Sequence, residues 1–139
     1  MEITQDFMDQ TNDNVLYNAV GIRIEQAGNG RARSRLEPRA EMCWPFPGQP
    51  HGGVIFTLMD TTMAWAGISL LDPGSNCTTI NLDIQYTRPA MGSLFTCSAF
   101  TTMRTGRTIF LRAEIRNSDN EILALGQGTF RAVKTNAVS

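Results

Sequence analysis

Residues 51–71, HGGVIFTLMDTTMAWAGISLL, constrain the fold of this chain more than any other stretch. Val54, Ile55, Phe56, Leu58, Met59, Met63 and Trp65 make the run apolar nearly all round when wound as a helix, the mark of a helix buried on several sides. Asp72-Pro73-Gly74 ends it. Asp60 and several threonines interrupt the run, so it is a poor membrane span.

The segments around this helix have a different period. Val20, Ile22 and Ile24 alternate in AVGIRIEQAG, the turn Gly28-Asn29-Gly30 follows, and RARSRLEP alternates in its turn, which predicts a hairpin. Three prolines make CWPFPGQP a loop. After the helix, TTINLDIQYTR places Ile80, Leu82, Ile84 and Tyr86 on one face and Thr79, Asn81, Asp83 and Gln85 on the other. SLFTCSAFTTM, RTIFLRAEIR and EILALGQGTFRAV are three more strand-like runs, expected in meander order. Residues 3–12 read as a short amphipathic helix with Ile3, Phe7 and Met8 on one side. The expectation is one α+β domain over residues 1–139, an antiparallel sheet with a single long helix against one face. Its core spans about residues 17–133, after an N-terminal helix or tail at 1–16.

A formal net charge of −1 gives no general attraction to nucleic acid or to an anionic membrane. Cys43, Cys77 and Cys97 are too few and scattered for a disulfide framework, and with His51 as the lone histidine no metal site is expected. The acidic, polar start is not a signal peptide, and a reduced cytoplasmic compartment is the expectation.

Asp60 is the anomaly in the helix. An unpaired buried carboxylate costs at least several kcal/mol, and nothing on its own helical stripe neutralises it. It therefore either meets an arginine from a strand, faces solvent, or is a catalytic carboxylate in an apolar pocket. His51-Gly52-Gly53 sits where the helix begins, so its first amides have no partner within the helix. Glycine there allows close approach, and such amides can hold a developing oxyanion with help from the helix dipole. Gly52 and Asp60 are eight positions apart, roughly 12 Å along a helix. Both groups of one chain cannot touch one carbonyl, so cooperation between them requires a two-fold dimer with one group from each chain.

HGGVIFTLMD, the Pro/Gly loop before it and the strand INLDIQYTRPA after it resemble hotdog-fold acyl-CoA thioesterases of the PaaI (phenylacetate-degradation) type. Mammalian acyl-CoA thioesterase 13 belongs to the same group. The resemblance covers about residues 17–133. It implies a curved antiparallel sheet of about five to six strands wrapped around one long central helix, and homodimers, often homotetramers, with the site between subunits. It implies an acyl-CoA substrate, with coenzyme A entering as part of that substrate and no other cofactor. Carried over by position, Asp60 is the nucleophile or general base, and Gly52 donates its N–H to the thioester oxygen. Gly53 allows the close approach after His51, and Gly48 matches a glycine of the preceding loop. Thr79 falls where family members often carry Ser or Thr near the attacking water, although its strand parity places it on the polar face.

One position departs from the pattern. Pro45 stands where an Asn commonly helps hold the carbonyl or the water, and Gln49 is the substitute available in the same loop. Arg104-Thr105-Gly106-Arg107 resembles the basic turn that receives the nucleotide phosphates, with Arg88 a second candidate. Trp44 and Trp65 read as core or dimer contacts, and Phe46 as either that or a wall of the acyl pocket. Thioester hydrolysis leads; a hotdog hydratase or dehydratase, and an acyl-CoA-binding protein without turnover, are the competing readings.

Overall fold

The computed structural model describes residues 1–45 and 48–135. Helices α1 (Gln5–Asn12) and α2 (Val15–Val20) precede the strands β1 (Ile22–Gly28) and β2 (Arg31–Leu36). The long helix α3 (Gly52–Ile68) follows, then β3 (Ser75–Tyr86), β4 (Phe95–Thr105), β5 (Thr108–Asn117) and β6 (Ile122–Lys134). The six strands form one antiparallel sheet in the order β1-β2-β4-β5-β6-β3. Sheet and helix build the expected α+β architecture. The order corrects the expected meander in one respect: β3 pairs with β6, at the far edge of the sheet from β1.

Local chemistry sets most element ends. Thr4 caps α1, and Asn14 caps α2 by accepting from the Tyr17 amide at 2.8 Å. Val20, expected in the first strand, instead closes α2, because Gly21 takes a left-handed φ of 97° as its C-cap. A Cβ at Gly21 would stand 1.9 Å from the Glu37 carbonyl oxygen. The hairpin turn uses Asn29 and Gly30, with φ of 52° and 77°, as a two-residue turn of this hand requires.

The core lies between α3 and one face of the sheet. Ile22, Leu36, Phe95, Ile109, Leu111, Ile115 and Phe130 meet Ile55, Leu58, Met59 and Met63, all fully buried. Gly126 and Gly128 on β6 admit the helix at close range. A Cβ at Gly126 would lie 2.2 Å from the Met59 sulfur, and one at Gly128 would lie 2.8 Å from that of Met63. The buried hydroxyls of Ser34 and Thr62 bond each other, and Thr62 also donates to the Leu58 carbonyl at 2.7 Å. No helix among the described residues is long and apolar enough to cross a membrane.

The two sheet edges differ. At β1 the Asn12 side chain donates to the Ile24 carbonyl at 2.9 Å and accepts from the Ile24 amide at 2.8 Å, which occupies that edge. On its outer side β3, twelve residues long, carries no strand among the described residues. Such an edge is a template for pairing with another chain.

Two outcomes follow from this packing. Gly126→Ala should cost about 1–3 kcal/mol of stability in chemical denaturation, since Met59 has no free space to retreat into; an unchanged midpoint would contradict the close approach. Burial pushes the Cys77 and Cys97 thiols up to about 12. Iodoacetamide at pH 8 should therefore label the native protein once, at the half-buried Cys43, and mass spectrometry finding adducts on Cys77 or Cys97 would contradict the core.

Candidate active site

The half-buried and exposed positions of α3 are Gly52, Gly53, Phe56, Thr57, Asp60, Thr61, Ala64 and Trp65. Their spacing makes one continuous stripe, so among the described residues α3 is only partly covered along one side. This corrects the expectation of burial nearly all round. Asp60 stands in the middle of the stripe, half-buried rather than enclosed.

Three side chains tie α3 to β3 along one seam. At the helix start the Tyr86 hydroxyl donates to the Gly52 carbonyl at 2.7 Å. In the middle the Thr79 hydroxyl donates to Asp60 Oδ1 at 2.7 Å. Farther along, Cys77 Sγ donates to the Ala64 carbonyl at 3.2 Å. Asp60 thus meets a strand residue, as one sequence expectation had it, but the partner is a hydroxyl and not an arginine.

A β-bulge makes the middle link possible. Thr79 pairs with Phe130 and Asn81 with Thr129, so Ile80 is an extra residue, and it is 58% exposed. The bulge resets the alternation. Cys77 and Thr79 face the helix before it, and Leu82 and Ile84 face the helix after it. The sequence parity that grouped Ile80 with Leu82 and placed Thr79 on the opposite face is therefore corrected.

At the helix start, His51 is the N-cap, and its Nδ1 accepts from the Gly53 amide at 2.8 Å. Its ring lies against Trp44, with centroids 5.0 Å apart at 32°. A Cβ at Gly53 would come within 3.0 Å of His51 Nδ1, so the bare glycine leaves room for the capping ring. With Gly53 occupied and the Val54 and Ile55 amides both donating to the His51 carbonyl, the Gly52 N–H alone of these has no acceptor among the described residues. It also lies at the positive end of the 17-residue helix.

Asp60 acts on its surroundings. Burial raises the Tyr17 hydroxyl above its ordinary value, the hydrogen bond from Trp65 opposes this, and the Asp60 carboxylate adds to the rise. The Trp65 indole donates to the Tyr17 hydroxyl at 2.8 Å. Burial and then the Asp60 charge raise Cys77. Tyr17 and Tyr86 are the site neighbours that sequence reasoning missed. The one available signal was Tyr86 on the helix-facing parity of its strand.

The remaining candidates are dispersed. Gly48 takes a φ of 75° and accepts from the Gly92 amide at 2.8 Å. Gln49 closes the loop through its carbonyl, which accepts from the Trp44 amide at 2.9 Å, and Pro45 is exposed. Phe46 lies outside the described residues. Arg104 is braced by the Gly106 and Leu70 carbonyls at 3.0 and 3.2 Å, at the far end of α3 from Gly52. Thr105, Gly106 and Arg107 are exposed beside it. Arg88 is paired with Glu121, so a phosphate there would have to displace a carboxylate.

Over residues 48–124, more than half of the chain, the sequence matches the model of the thioesterase superfamily. A Halobacterium salinarum protein provisionally named as an esterase is 29% identical over 133 residues, covering 88% of this chain and 87% of that one. The fold is that of the Haemophilus influenzae thioesterase HI1161, with a TM-score of 0.87 at 21% identity over 97% of this chain and 94% of the other. The PaaI protein of the E. coli phenylacetic acid degradation operon is 25% identical, with a TM-score of 0.78 over 90% of this chain and 88% of its own. With the sheet wrapped on its helix and the matched segment running from Gly48 through α3 to β6, the chain belongs to the thioesterase superfamily and is a thioester hydrolase.

Proposed function

We propose that the protein hydrolyses an acyl-CoA thioester at a composite site between two copies of the chain, Asp60 coming from one and Gly52 from the other. The observation that carries this is the separation of the two groups along one continuous helix. A carboxylate that accepts from Thr79 and an amide N–H without an acceptor among the described residues lie eight positions apart on α3, about 12 Å. No single carbonyl spans that distance, whereas two antiparallel copies of α3 put each Asp60 beside the other copy's Gly52. The partly covered stripe of α3 and the edge of β3 that no described strand pairs lie on the same flank, which supports a second copy as the missing cover.

In this reading the Gly52 N–H and the helix dipole draw charge onto the thioester oxygen. Asp60, its rotamer held by the Thr79 hydroxyl, takes a proton from the attacking water or itself adds to the carbonyl. The tetrahedral adduct collapses by breaking the C–S bond, and the departing thiolate of coenzyme A takes up a proton. Where Asp60 itself has added, water then cleaves the resulting acyl anhydride, releasing the acid and restoring the carboxylate. His51 serves by capping Gly53, which leaves Gly52 as the free donor. Its Nδ1 is occupied by that bond, which weighs against the hydratase alternative. The exposed Arg104–Arg107 turn receives the nucleotide phosphates, and coenzyme A enters only as part of the substrate. Pro45, with neither amide side chain nor N–H, is the departure on which the binding-without-turnover alternative rests.

Substitution at Gly52 separates the N–H from the residue itself. Gly52 is the first helical position, where proline fits, and His51 already has the extended φ of −59° and ψ of 143° that a residue before proline adopts. Gly52→Pro should keep the melting temperature and lower kcat on the order of 10²–10³-fold, whereas Gly52→Ala should keep most activity. Asp60→Asn should abolish thiol release and keep acyl-CoA binding by calorimetry. A fully active Gly52→Pro protein would sink the oxyanion assignment, and binding without hydrolysis of any ester by the unsubstituted protein would replace catalysis with the binding alternative.

A further inference from the structure

The seam that carries Asp60 and Thr79 runs on to an apolar cleft. Phe7 and Trp65 meet edge-on there, with ring centroids 5.8 Å apart at 73°. With Ile68, Pro73, Ser75 and Asn76 they line an open depression between α1, the end of α3 and the start of β3. Along α3, Ile68 lies eight positions beyond Asp60, about 12 Å. Along β3, Ser75 lies four positions before Thr79, about 13 Å. Both elements therefore put the cleft at the same distance and on the same side of the Asp60–Thr79 link. The Cys77–Ala64 link stands midway, and Ala64 puts only a methyl on the stripe between Asp60 and the cleft.

The exposed Glu2 carboxylate is the one charged side chain of the lining, and most of the wall is apolar. The Trp65 N–H is taken by Tyr17, and the Asn76 side-chain oxygen accepts from the Cys77 amide at 2.8 Å. What remains facing the cleft is mostly carbon, the lining that suits an apolar ligand. We infer that this cleft receives the acyl tail of the thioester, and that the substrate class is a medium- or long-chain aliphatic acyl-CoA rather than an acetyl or small aromatic one. The inference rests on the reading of Asp60 and Gly52 as the reacting pair. It also gives the two ends of the substrate separate paths. In an antiparallel pair the acyl tail follows the α3 that supplies Asp60, and the nucleotide leaves in the opposite direction, toward the basic turn of the second copy. Trp65, a core or dimer contact by sequence, becomes a specificity wall.

The chain has two tryptophans, one at each end of the seam: Trp44 against His51 and Trp65 in the cleft. In the Asp60→Asn protein, which holds a thioester without consuming it, each is read alone after Phe replaces the other. Decanoyl-CoA should shift Trp65 emission where coenzyme A and acetyl-CoA do not, and Ser75→Phe, which fills the cleft from β3, should remove that shift. In the otherwise unsubstituted chain, Ser75→Phe should lower the decanoyl-to-acetyl ratio of kcat/KM about tenfold or more. A Trp44 response to decanoyl-CoA with none from Trp65, or a ratio unchanged by Ser75→Phe, would overturn the placement and leave the reacting pair standing. Silence from both tryptophans, with no ester hydrolysed by the unsubstituted chain, would remove the acyl-CoA reading and this inference with it.

Discussion

The placement of everything functional depends on how closely α3 approaches β6. Gly126 and Gly128 give up their side chains so that Met59 and Met63 can lie directly on the backbone of the strand. That contact fixes both the height and the rotation of the helix. With Met59 facing the sheet, the next residue is turned about 100° around the axis. Asp60 therefore comes out at the flank, over β3, instead of into the core. A carboxylate one position earlier would be buried at 0% exposure without a partner, a cost of several kcal/mol. The anomalous aspartate is tolerable because the glycines opposite its neighbour have set the helix at that angle.

The bulge at Ile80 completes the arrangement. β3 must contribute Cys77 and Thr79 to one half of the seam, and Leu82 and Ile84 to the other, which a strictly alternating strand cannot do. One extra residue resolves the conflict, and Thr79 becomes a hydrogen-bond donor to Asp60. At the opposite end of the seam His51 divides the work between two neighbouring glycines. Its ring occupies the amide of Gly53, and the amide of Gly52 is left without an acceptor among the described residues. His51 is thus the N-cap of α3, and its ring takes up one of the first amides of the helix.

Much of the fold was legible because it is written locally. The apolar helix, the Asn29-Gly30 hairpin and the alternating runs each depend on neighbours in sequence. What was hidden depends on distant partners. β3 pairs with β6, some fifty residues later, and nothing within either strand records the choice over the nearer β4. The bulge has no composition signal, so parity misplaced Thr79. Tyr17 reaches the site from a six-residue helix whose Asn14 cap is visible but whose docking against Trp65 is not. The separation of Asp60 from Gly52 was legible from spacing alone, since eight helical positions fix a length whatever the rest of the chain does.

The central claim is that Asp60 of one copy and Gly52 of another share one reacting carbonyl. Co-expressing Asp60→Asn and Gly52→Pro chains with different tags, and isolating the mixed dimer, tests it directly. Each parent should be inactive alone. In the mixed dimer one site inherits both changes and the other neither, so about half of the unsubstituted activity per dimer should return. Mixed dimers as inactive as their parents would contradict the account, because each chain would then need its own Asp60 and its own Gly52.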